Sequence, residues 1–335
     1  LATVEFARAS GTLGYAANTT VDLGGVVARY VKITANSNWG GVIPQYGLSE
    51  VRFFYIPVFA REPDPASGST DVAVDNVTLS WRAGREAATH NLYLSDSNQA
   101  VIDETVSAVS IPAGSSYASY DTGALDLAKT YYWKVNEVNE AESPAIWQGD
   151  LWNFSTQQYL VVEGFEDYND FEPDRIFDTW VDGWGDPANG SQVGYTMPPF
   201  AEQSIVHGDS QSMPLHYDNT TASYSEATAN IADLGIGSDW SKHGIKSLSL
   251  WFYGDPCNVA QQMYVKLNGS KVVYDSEAEN ITRIGWQPWN IDLAALGVNL
   301  SNITQLSIGF ERIGAVGGSG VVYFDDIRLY PYSRE

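Results

Sequence analysis

The sequence predicts an all-β protein built from tandem antiparallel β-sandwiches, and three observations carry that reading. Period-two alternation recurs in short runs, at Arg29 to Thr34, Val77 to Trp81, Asn91 to Leu94, Tyr131 to Val138, Ser247 to Phe252 and Met263 to Leu267. Gly, Asn, Asp and Pro clusters separate the runs, and helical periodicity is confined to about a turn at Asp292 to Leu296. At 335 residues and 44% hydrophobic, the chain is long enough for two or three cores of ordinary domain size.

Two boundaries divide it. The first falls in Tyr55-Ile-Pro-Val-Phe-Ala-Arg-Glu-Pro-Asp-Pro65, where prolines restrict the backbone and a new alternating pattern begins; the second lies near Thr156 to Tyr159. The expected segments are therefore 1–57, 58–157 and 158–335. The first contains Arg29-Tyr-Val-Lys-Ile33 followed by Leu48-Ser-Glu-Val-Arg-Phe53. On those residues it resembles the C-terminal half of a discoidin (factor 5/8 type C) domain. Half a sandwich exposes unpaired strand edges, so a preceding segment or a neighbouring copy of the chain is expected to complete residues 1–57.

The second segment carries Pro63-Asp-Pro65, Val77-Thr-Leu-Ser-Trp81, Tyr131-Tyr-Trp-Lys-Val-Asn-Glu137 and Leu151-Trp-Asn-Phe-Ser-Thr156. It resembles a fibronectin type III module, with Trp81 and Tyr132 expected as core anchors and the whole expected as a spacer. The third carries Gly164-Phe-Glu166, His207-Gly-Asp-Ser-Gln-Ser-Met-Pro-Leu215, Gly285-Trp-Gln-Pro-Trp-Asn-Ile-Asp-Leu293 and Tyr323-Phe-Asp-Asp-Ile-Arg-Leu329. In that order and spacing they are similar to the jelly-roll carbohydrate-binding modules of secreted polysaccharide-degrading enzymes and bacterial surface proteins.

That resemblance implies a structural calcium, with side-chain oxygens from Glu166 and Asp325 and backbone carbonyls from His207 and Ser210. Strand parity places Asp325 on the face of Ile327 and Leu329 and turns Asp326 to solvent. A hydrogen-bonded edge without metal is the competing reading for the two acids. Four scattered His and one Cys offer no zinc spacing. For a sugar ligand, the resemblance directs attention to aromatics beside polar groups: Trp184, Tyr195, Trp251, Tyr253 and Tyr264 are the candidates, with burial in a core the alternative for each. Trp286 and Trp289 read as core and rim packing.

Eighteen basic residues against 41 acidic ones give a net charge of −23, which argues against nucleic acid or an anionic membrane surface and suits cations, neutral sugars or simple solubility. No apolar run approaches the roughly 20 residues that cross a bilayer, and the opening Leu1-Ala-Thr-Val-Glu5 lacks a basic, apolar leader, so it is expected to continue from a preceding segment. The lone Cys257 can form no internal disulfide. Nine Asn-x-Ser/Thr sequons permit glycosylation, although the composition of a Ser/Thr/Asn-rich β-protein is the preferred account of them.

No catalytic constellation emerges. His207-Gly-Asp-Ser210 runs on into an alternating strand rather than a nucleophile turn, and no acid pair has a diagnostic context. The expected function is a non-catalytic, extracellular or cell-surface protein that binds a polysaccharide or other glycan through a calcium-stabilised jelly roll. The alternatives are a structural subunit of a cell-envelope layer or filament, completed by strands of a neighbour, and accessory domains of a larger hydrolase.

Overall fold

The computed structural model describes residues 3–23, 28–40, 45–55, 57–114 and 116–333. Among the described residues of 3–55 there is no strand and no helix, and all side chains but the half-buried Thr19 and Val21 are exposed. The strands expected around Arg29 and Glu50 are thus not formed; residues 24–27 of that stretch lie outside the described residues. Alternation alone does not hold a strand whose N–H and C=O groups have no ladder partner.

Nine strands follow: β1 (Arg61–Asp64), β2 (Ser69–Val72), β3 (Thr78–Arg82), β4 (Thr89–Ser95), β5 (Val109–Pro112), β6 (Tyr117–Asp121), β7 (Thr130–Val138), β8 (Ile146–Trp147) and β9 (Trp152–Thr156). They form a three-stranded sheet, β1-β3-β6, and a six-stranded one, β2-β9-β7-β4-β5 with β8 against β7. Inward-facing residues of the two sheets meet at Trp81, Trp133 and Trp152, with ring centroids 6.1 Å apart for the first pair and 4.7 Å for the second. Trp81 is buried as expected, but its partner from β7 is Trp133 and not Tyr132, which is partly exposed. In a run of three adjacent aromatics, only register decides which faces in, and here Trp133, Val135 and Glu137 share the core face.

Glu137 is therefore a carboxylate in a core. It accepts the Gly84 N–H at 2.7 Å and pairs with the His90 Nδ1 at 2.5 Å, with both side chains fully buried. A buried acid is tolerated only with its partners in place.

The remaining ten strands are β10 (Leu160–Glu163), β11 (Ser191–Val193), β12 (Met213–Asp218), β13 (Tyr224–Asn230), β14 (Ser247–Tyr253), β15 (Gln262–Leu267), β16 (Ser270–Val273), β17 (Trp286–Asp292), β18 (Gln305–Glu311) and β19 (Ser319–Tyr330). One sheet runs β11-β12-β19-β14-β17, with β10 also on β19; the other runs β13-β18-β15-β16, and all pairs are antiparallel. Leu248, Leu250, Phe252, Val322 and Phe324 of the first pack on Met263, Val265, Ile308 and Phe310 of the second. The Tyr217 and Phe310 rings, 4.6 Å apart, join the layers. No ladder links these strands to β1–β9. The two sets touch at His243, whose Nδ1 lies 2.6 Å from the Leu125 carbonyl oxygen and whose own carbonyl accepts the Leu127 N–H at 3.2 Å.

Replacing Glu137 with Ala leaves the His90 ring and the Gly84 N–H buried without a partner. Denaturant unfolding is expected to show a loss of about 3–5 kcal/mol for this change, and a loss below about 1 kcal/mol would show that the pair is not held in a dry core.

Candidate functional site on the outer face of the six-stranded sheet

The site is organised by an irregularity in β19. Ser249 faces Arg328 and Trp251 faces Asp325, so two steps along β14 oppose three along β19. The extra residue is Asp326, at a φ of 48°. Alternation therefore restarts: Val322 and Phe324 face the core before the bulge, and Ile327 and Leu329 face it after. This corrects both parity assignments. Asp325 shares the outer face with Trp251 and Tyr323, opposite Ile327 and Leu329, and Asp326 is buried rather than turned to solvent.

On the outer face the strands bring together an aromatic row. Tyr323 of β19 pairs with Tyr253 of β14, and Tyr253 pairs with Trp286 of β17; centroid separations are 6.1 and 5.6 Å. Tyr195, from the loop after β11, extends the row, in contact with the Tyr323 hydroxyl and 6.0 Å from the His216 ring of β12. Trp251 stacks on His207 at 4.0 Å. All of these rings except buried Tyr323 are partly exposed.

Acids border the row, each held by donors. Burial opposes charge on Glu202, but the Tyr195 hydroxyl and the N–H groups of Ser204 and Ile205 outweigh it, and the carboxyl sits below its usual range. Asp326 pairs with His207 Nδ1 and Arg328 at 2.5 Å each. Gly208 packs closely on this carboxylate, since a Cβ would lie 2.9 Å from Asp326 Oδ2 and would push it aside. Burial pushes Asp325 up to about 6, against the pull of the N–H groups of His207, Gly208 and Asp326 at 2.8, 3.1 and 2.7 Å.

The four residues expected to hold calcium gather at the turn 207–211. The His207 N–H donates to Asp325 at 2.8 Å. Ser210 likewise donates its N–H to Glu166 at 3.0 Å and its hydroxyl to the other carboxylate oxygen, and the Gln211 N–H adds a bond at 2.9 Å. A calcium ion needs six to eight converging oxygens. Here N–H donors face both carboxylates, and among the described residues no three His, Cys, Asp or Glu converge on one point. With those N–H groups in place both carboxylates are satisfied without a cation.

Of the five aromatics expected at a ligand, Tyr195, Trp251 and Tyr253 come together. Trp184 does not join them: it is 75% exposed in the loop 182–190, beside β13. Tyr264 is buried on the outer face of the other sheet, over Gly309 and between Lys266 and Lys271, each 5.1 Å from its ring. Sequence reasoning passed over Trp286, Tyr323, His216 and Glu202. A signal for Trp286 existed: it and Trp289 are three apart in one strand, so they face opposite ways, and only Trp289 is core.

No family model matches the sequence, and no curated protein matches it. Among solved structures, one of carbohydrate-binding modules from the β-sandwich superfamily is 10% identical, covering 81% of this chain and 97% of its own, with a TM-score of 0.32. The family 30 carbohydrate-binding module of the cellulosomal cellulase Cel9D-Cel44B of Clostridium thermocellum is 16% identical, covering 44% and 92%, at 0.30. The N-terminal tandem CBM22 domains of Paenibacillus barcinonensis Xyn10C are 9% identical, covering 77% and 79%, also at 0.30. Likenesses this low assign no ligand, and the all-β class rests on the chain's own strands.

Two outcomes are expected. A carboxyl whose pKa rises on folding stabilises most when protonated, so Asp325's contribution is full below about pH 4 and lost as pH rises through about 6. Thermal melts across that window should fall with pH for the native chain and fall less for Asp325→Asn; equal slopes would refute the assignment. Melts with and without a calcium chelator should coincide, and a drop on chelation would restore a cation to the turn.

Proposed function

We propose that the outer face of the β11-β12-β19-β14-β17 sheet binds a polysaccharide, and that the chain is a non-catalytic extracellular or cell-surface protein. The observation that carries this is the row Tyr195, Tyr323, Tyr253 and Trp286 across the sheet, in which Tyr195, Tyr253 and Trp286 are partly exposed, with Trp251 beside it. Sugar rings present apolar C–H faces that stack on aromatic planes, while side-chain oxygens and nitrogens at the border take their hydroxyls. A line of such rings across strands matches an extended, repeating ligand better than a compact one. A net charge of −23 favours a neutral glycan over a polyanionic one.

Binding without hydrolysis is supported by the state of the acids. A glycosidase needs two carboxyl groups facing each other across the scissile bond. Asp325 is fully buried, Asp326 is paired with His207 and Arg328, and Glu202 is held by Tyr195. Among the described residues no helix is long and apolar enough to cross a membrane.

Affinity electrophoresis in gels carrying neutral polysaccharides (cellulose derivative, xylan, xyloglucan, galactomannan) is expected to retard the protein. Tyr253→Ala and Trp286→Ala should each weaken binding by on the order of 10-fold or more, the cost of truncating a central aromatic anchor. Unretarded migration on every polysaccharide, together with assembly into polymers on sizing, would replace this reading with that of a structural subunit.

A further inference from the structure

The geometry points to a second carbohydrate-binding site on the opposite side of the same sandwich, resting on the glycan-binding reading above but on none of its residues. A hollow of about 350 Å³ lies between the loop after Val181 and the outward side chains of β13. That volume is at the lower end of the roughly 300–1,000 Å³ of small-ligand clefts, and suits a terminal sugar or a short stretch of chain.

The walls are built rigidly. Val181 bridges Thr228 and Asn189 bridges Tyr224, so both stems of the loop are laced to β13. The Asn189 amide donates to the Glu226 carbonyl at 2.9 Å, and its oxygen accepts the Glu226 N–H at 2.9 Å. Gly183 abuts the Asn189 carbonyl, where a Cβ would stand at 2.2 Å, so the stems cannot part without a clash or a gap. Asp182 is consumed in shaping the loop, accepting the N–H groups of Trp184 and Val193 at 2.8 and 2.6 Å.

What the hollow offers is polar and uncharged. Tyr224, half-buried, and Gln305, exposed, line the hollow and bring a hydroxyl and a side-chain amide to it. Glu226, the acid in the wall, is neutralised by Lys266 at 2.5 Å. Trp184 stands in the loop between the two stems, 75% exposed, the most exposed Trp of this sandwich. A bulky indole held in water on a short, hydrogen-bonded loop whose stems line a hollow with a hydroxyl and an amide can stack one sugar face while those groups bond its edge. Its ligand class is a neutral glycan. The two sites lie on opposite sheets, so one long polysaccharide, or two, can engage both, and affinity for long chains then exceeds that for short oligosaccharides.

The test uses the full chain in three forms: Tyr253→Ala/Trp286→Ala, which disables the row; Trp184→Ala/Tyr224→Phe, which disables the hollow; and all four changes together. Each is run in affinity electrophoresis on the same neutral polysaccharides, with thermal melts confirming that the fold is retained. The expected result is that the row variant keeps a weaker retardation that the fourfold variant loses, while the hollow variant binds long polysaccharide several-fold less tightly than the native chain. If the row variant loses all retardation and the hollow variant matches the native chain, the second site is refuted and the first stands. If the hollow variant loses all retardation while the row variant is unaffected, the row reading fails and this one holds. Absence of retardation for the native chain overturns both.

Discussion

One extra residue in the longest strand governs the C-terminal sandwich. β19 lies in the middle of its sheet, with β14 along one side and β12 followed by β10 along the other. Twelve residues of strict alternation could not put both Phe324 and Ile327 into the core, because they are three apart; the bulge at Asp326 permits it. A non-Gly residue at positive φ is strained by on the order of 1 kcal/mol or more, and here the surroundings over-determine it. His207 and Arg328 grip the Asp326 carboxylate from either side. β12 ends its pairing at Phe324 and β10 begins at Ile327, so the bulge falls where the sheet has a gap, and the turn 207–211 fills it.

The same constraint explains the placing of two acids, Glu166 just after β10 and Asp325 in β19. The turn carries N–H groups that no ladder satisfies. Asp325 takes those of His207 and Gly208, and Glu166 takes those of Ser210 and Gln211. Two carboxylates thus pin one turn between them. Once pinned, His207 is placed to stack on Trp251 and to close one side of the aromatic row.

Alternation in the sequence located β3, β4, β7, β14 and β15 to within a few residues, because each puts its apolar residues on one face at a period of two, a pattern that needs no distant information. It failed where facing depends on something non-local. Asp325 and Asp326 were misplaced because a bulge leaves no trace in composition. Tyr132 and Trp133 were exchanged because both are aromatic and only the pairing of Trp133 with Leu94 tells them apart. Tyr264 is covered by the stems of Lys266 and Lys271, a burial made by flexible charged residues that reads in sequence as exposure. The stretch 1–57 alternates convincingly and forms no described strand, since a strand is a property of a pair and not of a segment.

The two outer faces of the sandwich have opposite chemistry for a common reason. On the four-stranded sheet, Lys266 with Glu226 and Lys271 with Glu311 pair across strands and flank Tyr264, so that part of the face is covered by matched charge and only the β13 edge with Tyr224 stays open. On the six-stranded sheet no basic side chain lies along the row itself; Arg328 is turned onto Asp326 and the Tyr159 ring. Its acids are instead neutralised from within, by backbone N–H groups, phenol hydroxyls and one imidazole. Caged in this way, the carboxylates shape the row without offering free charge to solvent, and Tyr195, Tyr253 and Trp286 keep part of their surface exposed because no long cationic stem lies over them. An open aromatic surface on a chain of net charge −23 therefore follows from where its few cations are spent.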